Sequence, residues 1–387
     1  MKRLILTGLG VIFSTISLVR GAEKVLLDQA FSTGGQLHLM HVVGEVTITG
    51  SEADHVKIIE EVSDFSPRSR DAEFSSVEIE GSRIVVSARP GSGTYREIRA
   101  EVPAYFSVAV GGAGGDISVK NLTGEVLIHI SGGDTELENI RGKVTVQTKA
   151  GDVYMRDIQG RVSVTTQGGD LDLRQFQGNV SLENNAGDVS ITDGTGNVNI
   201  HSGSGDLFVG ELSGDSLQVN LRAGDLQLEN FQGRGIFVLK YGDVDIEKMA
   251  GPLDVELDMG SLAIQRLLGS LDARLKIGDL EVEEHSGSGR IRIDRGDVEY
   301  SWEMPSTGGD DSLSINTKLG SVALRLPAQL NPSLFLESSE EAEGLERFRD
   351  EMSRQQQGIN RYVYRYSGDN GTVKITTKVG KIRIYER

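Results

Sequence analysis

The sequence contains no cysteine. The fold therefore has neither a disulfide framework nor a cysteine-ligated zinc site, and an export signal that attaches a lipid to cysteine is excluded. Proline and aromatic residues are also scarce, with seven prolines and 5% aromatic residues, whereas glycine occurs 49 times. Glycine at this frequency indicates either disorder or very regular turning. The spacing of the glycines decides between the two.

The sequence also lacks an excess of positive charge. Its formal net charge is −17 at pH 7. The chain offers no basic patch to a phosphate backbone, so nucleic acid is not an expected partner. Beyond the N-terminus, no apolar run approaches the roughly 20 residues that a membrane-spanning helix needs. We therefore expect that the mature chain does not span a membrane.

The N-terminus has the order of regions found in a secretory signal peptide. Lys2 and Arg3 precede an interrupted apolar run, Leu4–Val19, and small residues follow at Gly21 and Ala22. Positive, apolar and small-residue regions in this order are typical of a cleaved signal. The sequence predicts a signal peptide over residues 1–22 and export to the periplasm, the cell surface or the medium.

Glycines recur with a fixed period through the middle of the chain. Gly-Asp pairs begin 18 residues apart with one step of 19, and Gly260 followed by Ser261 fills one gap. A second series of glycines lies midway, so each half-repeat has about nine residues. The predicted turn ladder consists of Gly115 and Asp116, Gly133 and Asp134, Gly151 and Asp152, Gly169 and Asp170, Gly187 and Asp188, Gly205 and Asp206, Gly224 and Asp225, Gly242 and Asp243, Gly278 and Asp279, and Gly296 and Asp297.

Between the glycines, apolar residues alternate with polar ones. Val144 and Val146 fall two and four places after Gly142, and most half-repeats keep this phase. Such alternation predicts one short strand in each half-repeat. A single open meander of these strands would exceed the usual limit of about ten. We predict an all-β fold, a parallel β-solenoid with coils of about 18 residues, each made of two strand-turn units of about nine. A twisted or partly closed stack of sheets remains the alternative.

One solenoid domain is predicted over residues 23–387. Its coils are expected to be looser over 25–110, regular over about 111–300, and interrupted near the C-terminus by a helical insertion at about 338–358.

The helical insertion is predicted from a capping pattern and an apolar stripe. Ser338 and Glu341 have the spacing of a capping box, and Gly358 is a natural end. Apolar residues at helical spacing follow the cap. They are Ala342, Leu345, Phe348 and Met352. We expect one short helix that either covers the last coils or binds a partner.

Stacked coils would place the ten ladder aspartates along one edge. Like charges about 5 Å apart repel by roughly 1 kcal/mol in water. Either hydrogen bonds from turn amides or bound cations can offset this repulsion. Calcium-binding β-rolls also repeat every nine residues, but their aspartate stands two places after the last glycine. Here aspartate follows glycine directly, so the amide bonds are favoured over calcium and no cofactor is predicted.

Three segments give the chain a resemblance to a known family. They are "GEVTITGSEADHVKI" from Gly44, "AEVPAYFSVAVGGAGGDISV" from Ala100, and "GTVKITTKVGKIRIYER" from Gly371. Together with the recurrent Gly-Asp-aliphatic turns, they resemble the bacterial "putative adhesin" family, the domain of unknown function numbered 4097. The resemblance implies a β-solenoid-like protein of the cell envelope. It implies no catalytic or ligand-binding residues.

Catalytic motifs are missing. The six histidines are scattered, and neither an HExxH pattern nor a GxSxG elbow occurs. Carbohydrate-active β-helices build a cleft from long loops, whereas the coil length here barely varies. We therefore predict a protein that is not an enzyme.

The predicted function is a non-catalytic scaffold of the cell envelope or surface. Its repetitive polar surface suits multivalent contact with a glycan, with peptidoglycan or with another envelope protein. The competing interpretation is a structural solenoid that associates end to end.

Overall fold

The computed structural model describes residues 22–31, 34–64, 74–88, 94–303, 311–358, 361–368 and 370–386. Residues 1–21, which carry most of the predicted signal peptide, lie outside the described residues. The described strands join into a single 33-stranded sheet. Within these ranges the one helix is a 3-10 turn at Glu346–Phe348, and no helix has the length and apolar character to cross a membrane. The all-β prediction is confirmed.

The strands fall into an N-terminal group, a regular group and a C-terminal group. The N-terminal strands are β1 (Ala22–Ala30), β2 (Gln36–Ser51), β3 (His55–Asp64), β4 (Ser76–Glu80), β5 (Arg83–Ser87), β6 (Thr94–Pro103) and β7 (Ser107–Gly114). The regular strands are β8 (Ile117–Leu122), β9 (Val126–His129), β10 (Thr135–Arg141), β11 (Val144–Thr148), β12 (Val153–Gln159), β13 (Val162–Thr166), β14 (Leu171–Gln177), β15 (Val180–Asn184), β16 (Val189–Thr195), β17 (Val198–Ser202), β18 (Leu207–Ala223), β19 (Leu226–Tyr241), β20 (Val244–Ala250), β21 (Leu253–Met259), β22 (Leu262–Leu268), β23 (Leu271–Ile277), β24 (Leu280–Ser286), β25 (Gly289–Arg295) and β26 (Val298–Trp302). The C-terminal strands are β27 (Ser312–Leu319), β28 (Val322–Leu326), β29 (Ser333–Ser338), β30 (Ser353–Gln356), β31 (Tyr362–Tyr366), β32 (Thr372–Val379) and β33 (Ile382–Glu386).

The regular strands stack in two parallel series. In the first, β12 pairs with β10 on one side and β14 on the other, and in the second β13 pairs with β11 and β15. Val153 lies opposite Leu171, and Val144 lies opposite Val162, so partners are 18 residues apart. Each coil thus contributes two strands to a continuous parallel stack. The predicted solenoid architecture is confirmed.

The core is a narrow column of aliphatic side chains between the two series. Val153, Met155 and Ile158 of one coil point inward from the first series, and Val162 and Val164 point inward from the second. All five are buried, whereas most of their neighbours in sequence are at the surface. Alternating side chains therefore give each strand one core face and one solvent face.

The alternation of inward and outward side chains is interrupted once per coil in the first-series strands between Asn121 and Asn230. At Asp157 the backbone takes a left-handed φ of 52°, which turns two successive side chains outward and returns Ile158 to the core. Asparagine and aspartate tolerate this conformation better than other residues with a side chain. The equivalent residues form a second ladder: Asn121, Asn139, Asp157, Gln175, Asp193, Glu211 and Asn230.

The single 19-residue step is absorbed inside a long strand. Where β18 pairs with β19, the register shifts between Ser213 and Ser216. The extra residue therefore sits at a bulge, and the coils on both sides keep their phase.

The N-terminal region departs from the parallel pattern that the sequence predicted. β2 is parallel to its four neighbours β5, β6, β7 and β8. In contrast, β1–β3, β3–β6 and β4–β5 are antiparallel pairs. β4 and β5 are joined by a two-residue turn at Gly81, and a turn this short can only connect antiparallel strands. The expectation of looser but parallel coils is therefore wrong for β1, β3 and β4.

A buried ion pair joins two of these antiparallel strands. Glu60 of β3 is fully buried, and its carboxylate accepts a hydrogen bond of 2.6 Å from the guanidinium of Arg96 on β6. The backbone amide and the hydroxyl of Ser75 each donate to the same carboxylate at 2.7 Å. The buried carboxylate of Glu60 therefore has both an opposite charge and hydrogen-bond donors around it.

The prediction of a helix over residues 338–358 is wrong, because the only helical element formed there is a short 3-10 turn. The segment contains the end of β29, the 3-10 turn and β30. Ser338 does not cap a helix, because its hydroxyl donates to the carbonyl of Glu340.

Main-chain pairing with the last strand holds this segment extended. Glu343 forms a parallel bridge with Arg383 of β33, and Gly344 then turns the chain at a φ of +75°. Phe348 of the predicted stripe is nevertheless buried, and the other three stripe residues pack partly buried against the core. The apolar spacing identified the inward residues but not the backbone conformation.

Candidate functional site: an acidic groove along the aspartate ladder

The ten aspartates of the predicted turn ladder lie one above another along one edge of the solenoid. The Oδ1 atom of each accepts a hydrogen bond from the backbone amide at the same position of the next coil, at 2.7 to 3.0 Å. The amide of Asp188, for example, donates to Asp170. Each turn is therefore tied to the next by a charge-assisted bond.

These bonds offset the repulsion within the ladder. Coils about 4.8 Å apart bring neighbouring carboxylates close enough to repel by roughly 1 kcal/mol. A hydrogen bond to a charged acceptor contributes about 1.5–3 kcal/mol. The amide hydrogen bonds that the sequence favoured are formed. Within the described part of the chain, no group of three or more His, Asp or Glu side chains is arranged to hold a metal ion.

A groove of 530 Å³ follows the ladder across several coils. Its acidic side consists of Asp170, Asp188, Asp206 and Asp225. The outward residues two positions further along each strand form the other side, and strand pairing places them in adjacent coils. These residues are Tyr154, Asp172, Ser190, Phe208, Gln227 and Asp245. The groove thus combines regularly spaced carboxylates with two aromatic rings.

The ladder influences the ionisation of one of those rings. The hydroxyl of Tyr154 donates a hydrogen bond of 3.0 Å to Oδ2 of Asp152. This bond and the charge of Asp152 raise the pKa of Tyr154, with smaller contributions from burial and from Asp134 and Asp170. The phenol therefore stays protonated at neutral pH, with its single O–H donated to Asp152.

Asp172 differs from the ladder aspartates in having a cationic partner. The guanidinium of Arg174 donates to both of its oxygens, at 2.8 and 2.6 Å. The negative character of the groove therefore comes mainly from the ladder. A carboxylate has about four acceptor positions and the amide bond occupies one of them, so the ladder retains capacity for a ligand.

A buried histidine offers a second cluster of titratable groups. His285 is fully buried; its Nε2 donates to the carbonyl of Gly269 at 2.7 Å, and the hydroxyl of Tyr300 donates to its Nδ1 at 2.5 Å. Burial lowers the pKa of His285 and raises that of Tyr300 well above its usual value, while the carbonyl of Gly269 and the charge of Asp311 oppose the shift of the histidine. Both groups are thus neutral and hydrogen-bonded inside the core.

Sequence reasoning found the acidic side of the groove but not its other side. Tyr154 and Phe208 occupy ordinary outward positions of their strands, and nothing in the repeat distinguishes them. Their column becomes visible only when residues two places after each ladder aspartate are compared from coil to coil.

Residues 160–267 match the family described as Toastrack DUF4097, and the resemblance predicted from the sequence is confirmed over this segment. No curated protein matches the chain. A solved structure from Clostridium sporogenes ATCC 15579, titled a "putative cell adhesion protein", is 9% identical and covers 95% of this chain and 100% of its own, with a TM-score of 0.17. At that score the likeness supports no argument about fold or function.

Proposed function

We propose that this chain, which matches the Toastrack family over residues 160–267, is an exported, non-catalytic binding scaffold whose acidic groove holds a repetitive ligand. The observation that carries the proposal is the ladder-lined groove, in which equivalent side chains recur once per coil. A ligand with its own repeat can make the same contact several times.

Repetition compensates for weak single contacts. One hydrogen bond from a hydroxyl to a carboxylate contributes about 1.5–3 kcal/mol, which alone corresponds to binding weaker than about 1 mM. Once the first unit of a polymer is bound, the next unit meets its own aspartate at a high effective concentration. Four ladder aspartates line the groove, so several such contacts form together.

The groove's chemistry favours a ligand rich in hydrogen-bond donors. Carboxylates accept hydrogen bonds, and the rings of Tyr154 and Phe208 offer flat apolar faces. Sugar rings present hydroxyl donors on their edges and apolar C–H groups on their faces. A glycan, peptidoglycan included, is therefore the favoured ligand, and a donor-rich envelope protein is the alternative.

The non-catalytic and exported parts of the proposal have separate support. The buried titratable groups described above, His285 with Tyr300 and Glu60 with Arg96, lie inside the core and away from the groove. The groove itself offers no acid and base of contrasting environment that converge on one point. Export is supported by the predicted signal peptide over residues 1–22.

Co-sedimentation with insoluble glycans tests the groove. We expect the protein to be retained on purified peptidoglycan or on chitin at low salt. Replacing Asp188 and Asp206 together with asparagine should reduce retention by about tenfold or more, equivalent to about 1.4 kcal/mol. Asparagine keeps an oxygen that can accept the amide bond, so the turns should remain intact.

The matched control changes Asp279 and Asp297 to asparagine. These two aspartates make the same amide bonds but do not line the groove, so this variant should be retained like the wild type. Absence of retention on both glycans, or an equal loss in both variants, would contradict a glycan-binding groove.

A further inference from the structure

An exposed stripe of large side chains runs along the C-terminal half of the solenoid. It is formed by the residue that precedes the turn glycine at the end of each second-series strand, and strand pairing places its members in adjacent coils. The apolar stripe consists of Tyr241, Met259, Ile277, Arg295, Leu319 and Val379. Its five apolar members are 39 to 57% exposed. A row of exposed apolar side chains, interrupted by Arg295 alone, is typical of an interaction surface.

A charged column lies directly beside the apolar stripe. It is formed by the preceding residue in each coil: Lys240, Asp258, Lys276, Asp294, Lys318 and Lys378. The sign of the charge alternates over the first five positions. Within the chain, Lys276 contacts Asp258 and Lys318 contacts Asp294, each at 2.6 Å.

We propose that the apolar stripe and the charged column form the interface of a side-by-side, antiparallel dimer with a second copy of this chain. Consider a two-fold axis that passes between two neighbouring coils. It places each residue of the column that lies above the axis opposite the residue of the second copy that lies the same number of coils below it. In an alternating column those two positions carry opposite charges. Over the four positions from Lys240 to Asp294, the column is therefore complementary to itself under this symmetry.

The axis lies between the coils of Met259 and Ile277. Met259 then packs on Ile277 of the second copy, which gives the interface an apolar centre. Asp258 faces Lys276 of the second copy, and Lys240 faces Asp294 in the same way. At the next position Tyr241 stacks against Arg295 of the second copy, a pairing that suits an aromatic ring and a guanidinium.

Other orientations of the two copies place like charges together. In a parallel arrangement, with the two-fold axis along the solenoid, Lys276 would face Lys276. An axis through a coil would also pair each charge with one of the same sign. An antiparallel pair with its axis between coils instead brings opposite charges together at the four central positions, and the like charges Arg222 and Lys318 meet only at its outer ends.

The overall charge explains why the copies meet at this surface. Two chains that each carry a net charge of −17 repel one another in general. The charged column contains four lysines and two aspartates, so it is locally positive. The dimer is independent of the proposed glycan groove, which lies along the coils between Tyr154 and Asp245.

Sedimentation of the purified protein over a range of concentrations tests the apolar part of the interface. We expect a dimer whose dissociation constant rises at least about tenfold in the double variant Met259→Glu, Ile277→Glu. Leu268→Glu is the matched control, because Leu268 is 52% exposed and precedes a glycine of the other turn series. A wild-type protein that is monomeric up to about 1 mM, or equal weakening by the control, would overturn the proposal.

A charge exchange tests the orientation and register. Lys276→Asp alone places aspartate against Asp258 of the second copy and should weaken the dimer at least about tenfold. Adding Asp258→Lys to the same chain exchanges the two charges, restores the opposite pairing about this axis and should restore the dimer. Circular dichroism should show all variants folded. A double exchange that stays as weak as the single change would contradict the antiparallel register.

Discussion

Replacing Gly169 with alanine should destabilise the protein by roughly 3–5 kcal/mol, whereas the same change at the adjacent Gly168 should have little effect. At Gly169 the backbone φ is +99°, and an added Cβ would lie 2.3 Å from the carbonyl oxygen of Gly151 in the coil below. The left-handed conformation contributes about 1–3 kcal/mol and the steric overlap a similar amount. The turn glycines are thus required by both the turn and the stacking of coils.

Gly168 provides a control one residue away. An added Cβ there would be 3.8 Å from its nearest neighbour, the carbonyl oxygen of Lys149, which is an ordinary contact. Surface substitutions without a specific conflict change stability by about 0.5 kcal/mol or less. Urea denaturation of the two variants gives the comparison. Equal denaturation midpoints would show that the coils are not stacked as described.

Breaking the buried ion pair between β3 and β6 should be similarly damaging. Arg96→Met leaves the carboxylate of Glu60 buried with the two hydrogen bonds from Ser75 but without its guanidinium partner. Removing one partner of a buried pair costs about 3–5 kcal/mol. Adding Glu60→Gln should recover part of this loss, because glutamine is neutral and still accepts from Ser75.

An exposed pair between the same strands serves as the control. Arg99 lies 3.5 Å from Glu61, and their side chains are 46% and 34% exposed. Exposed pairs contribute about 0–1 kcal/mol, so Arg99→Met should shift the denaturation midpoint far less than Arg96→Met. If both arginine variants were equally stable, Glu60 and Arg96 would not be buried together.

The regular coils could be predicted from sequence because each local signal repeats. Val144 and Val146 indicate a strand and Gly151 indicates a turn, and the same two signals recur in each regular coil. The period of 18 then fixes the partner of each strand. A solenoid is close to one-dimensional, so contacts follow directly from the period.

The two ends could not be predicted in this way. The antiparallel pairing of β1, β3 and β4 depends on which edge each strand meets, and that information is not periodic. The segment around Phe348 carries an apolar spacing that suits a helix, but the bridge from Glu343 to the last strand holds the backbone extended. Tertiary pairing outweighs local propensity at both ends.

The candidate sites were predictable to different degrees. The ladder aspartates follow their glycines in the sequence, so their shared edge could be inferred. Tyr154 and Phe208, and likewise Met259 and Ile277, are outward residues separated by whole coils. Their alignment depends on the register of the stack, which the structure supplies.

Deleting one coil and deleting half a coil tests the stacked architecture most directly. Removal of residues 169–186 takes out 18 residues and joins Gly168 to Gly187, so every later strand keeps its series. Removal of residues 169–177 joins Gly168 to Gly178 and exchanges the two series in all later coils. In thermal unfolding, we expect the full-coil deletion to melt cooperatively near the wild-type temperature and the half-coil deletion to lose cooperative melting. Equal tolerance of both deletions, or equal damage by both, would contradict a solenoid built on an 18-residue coil.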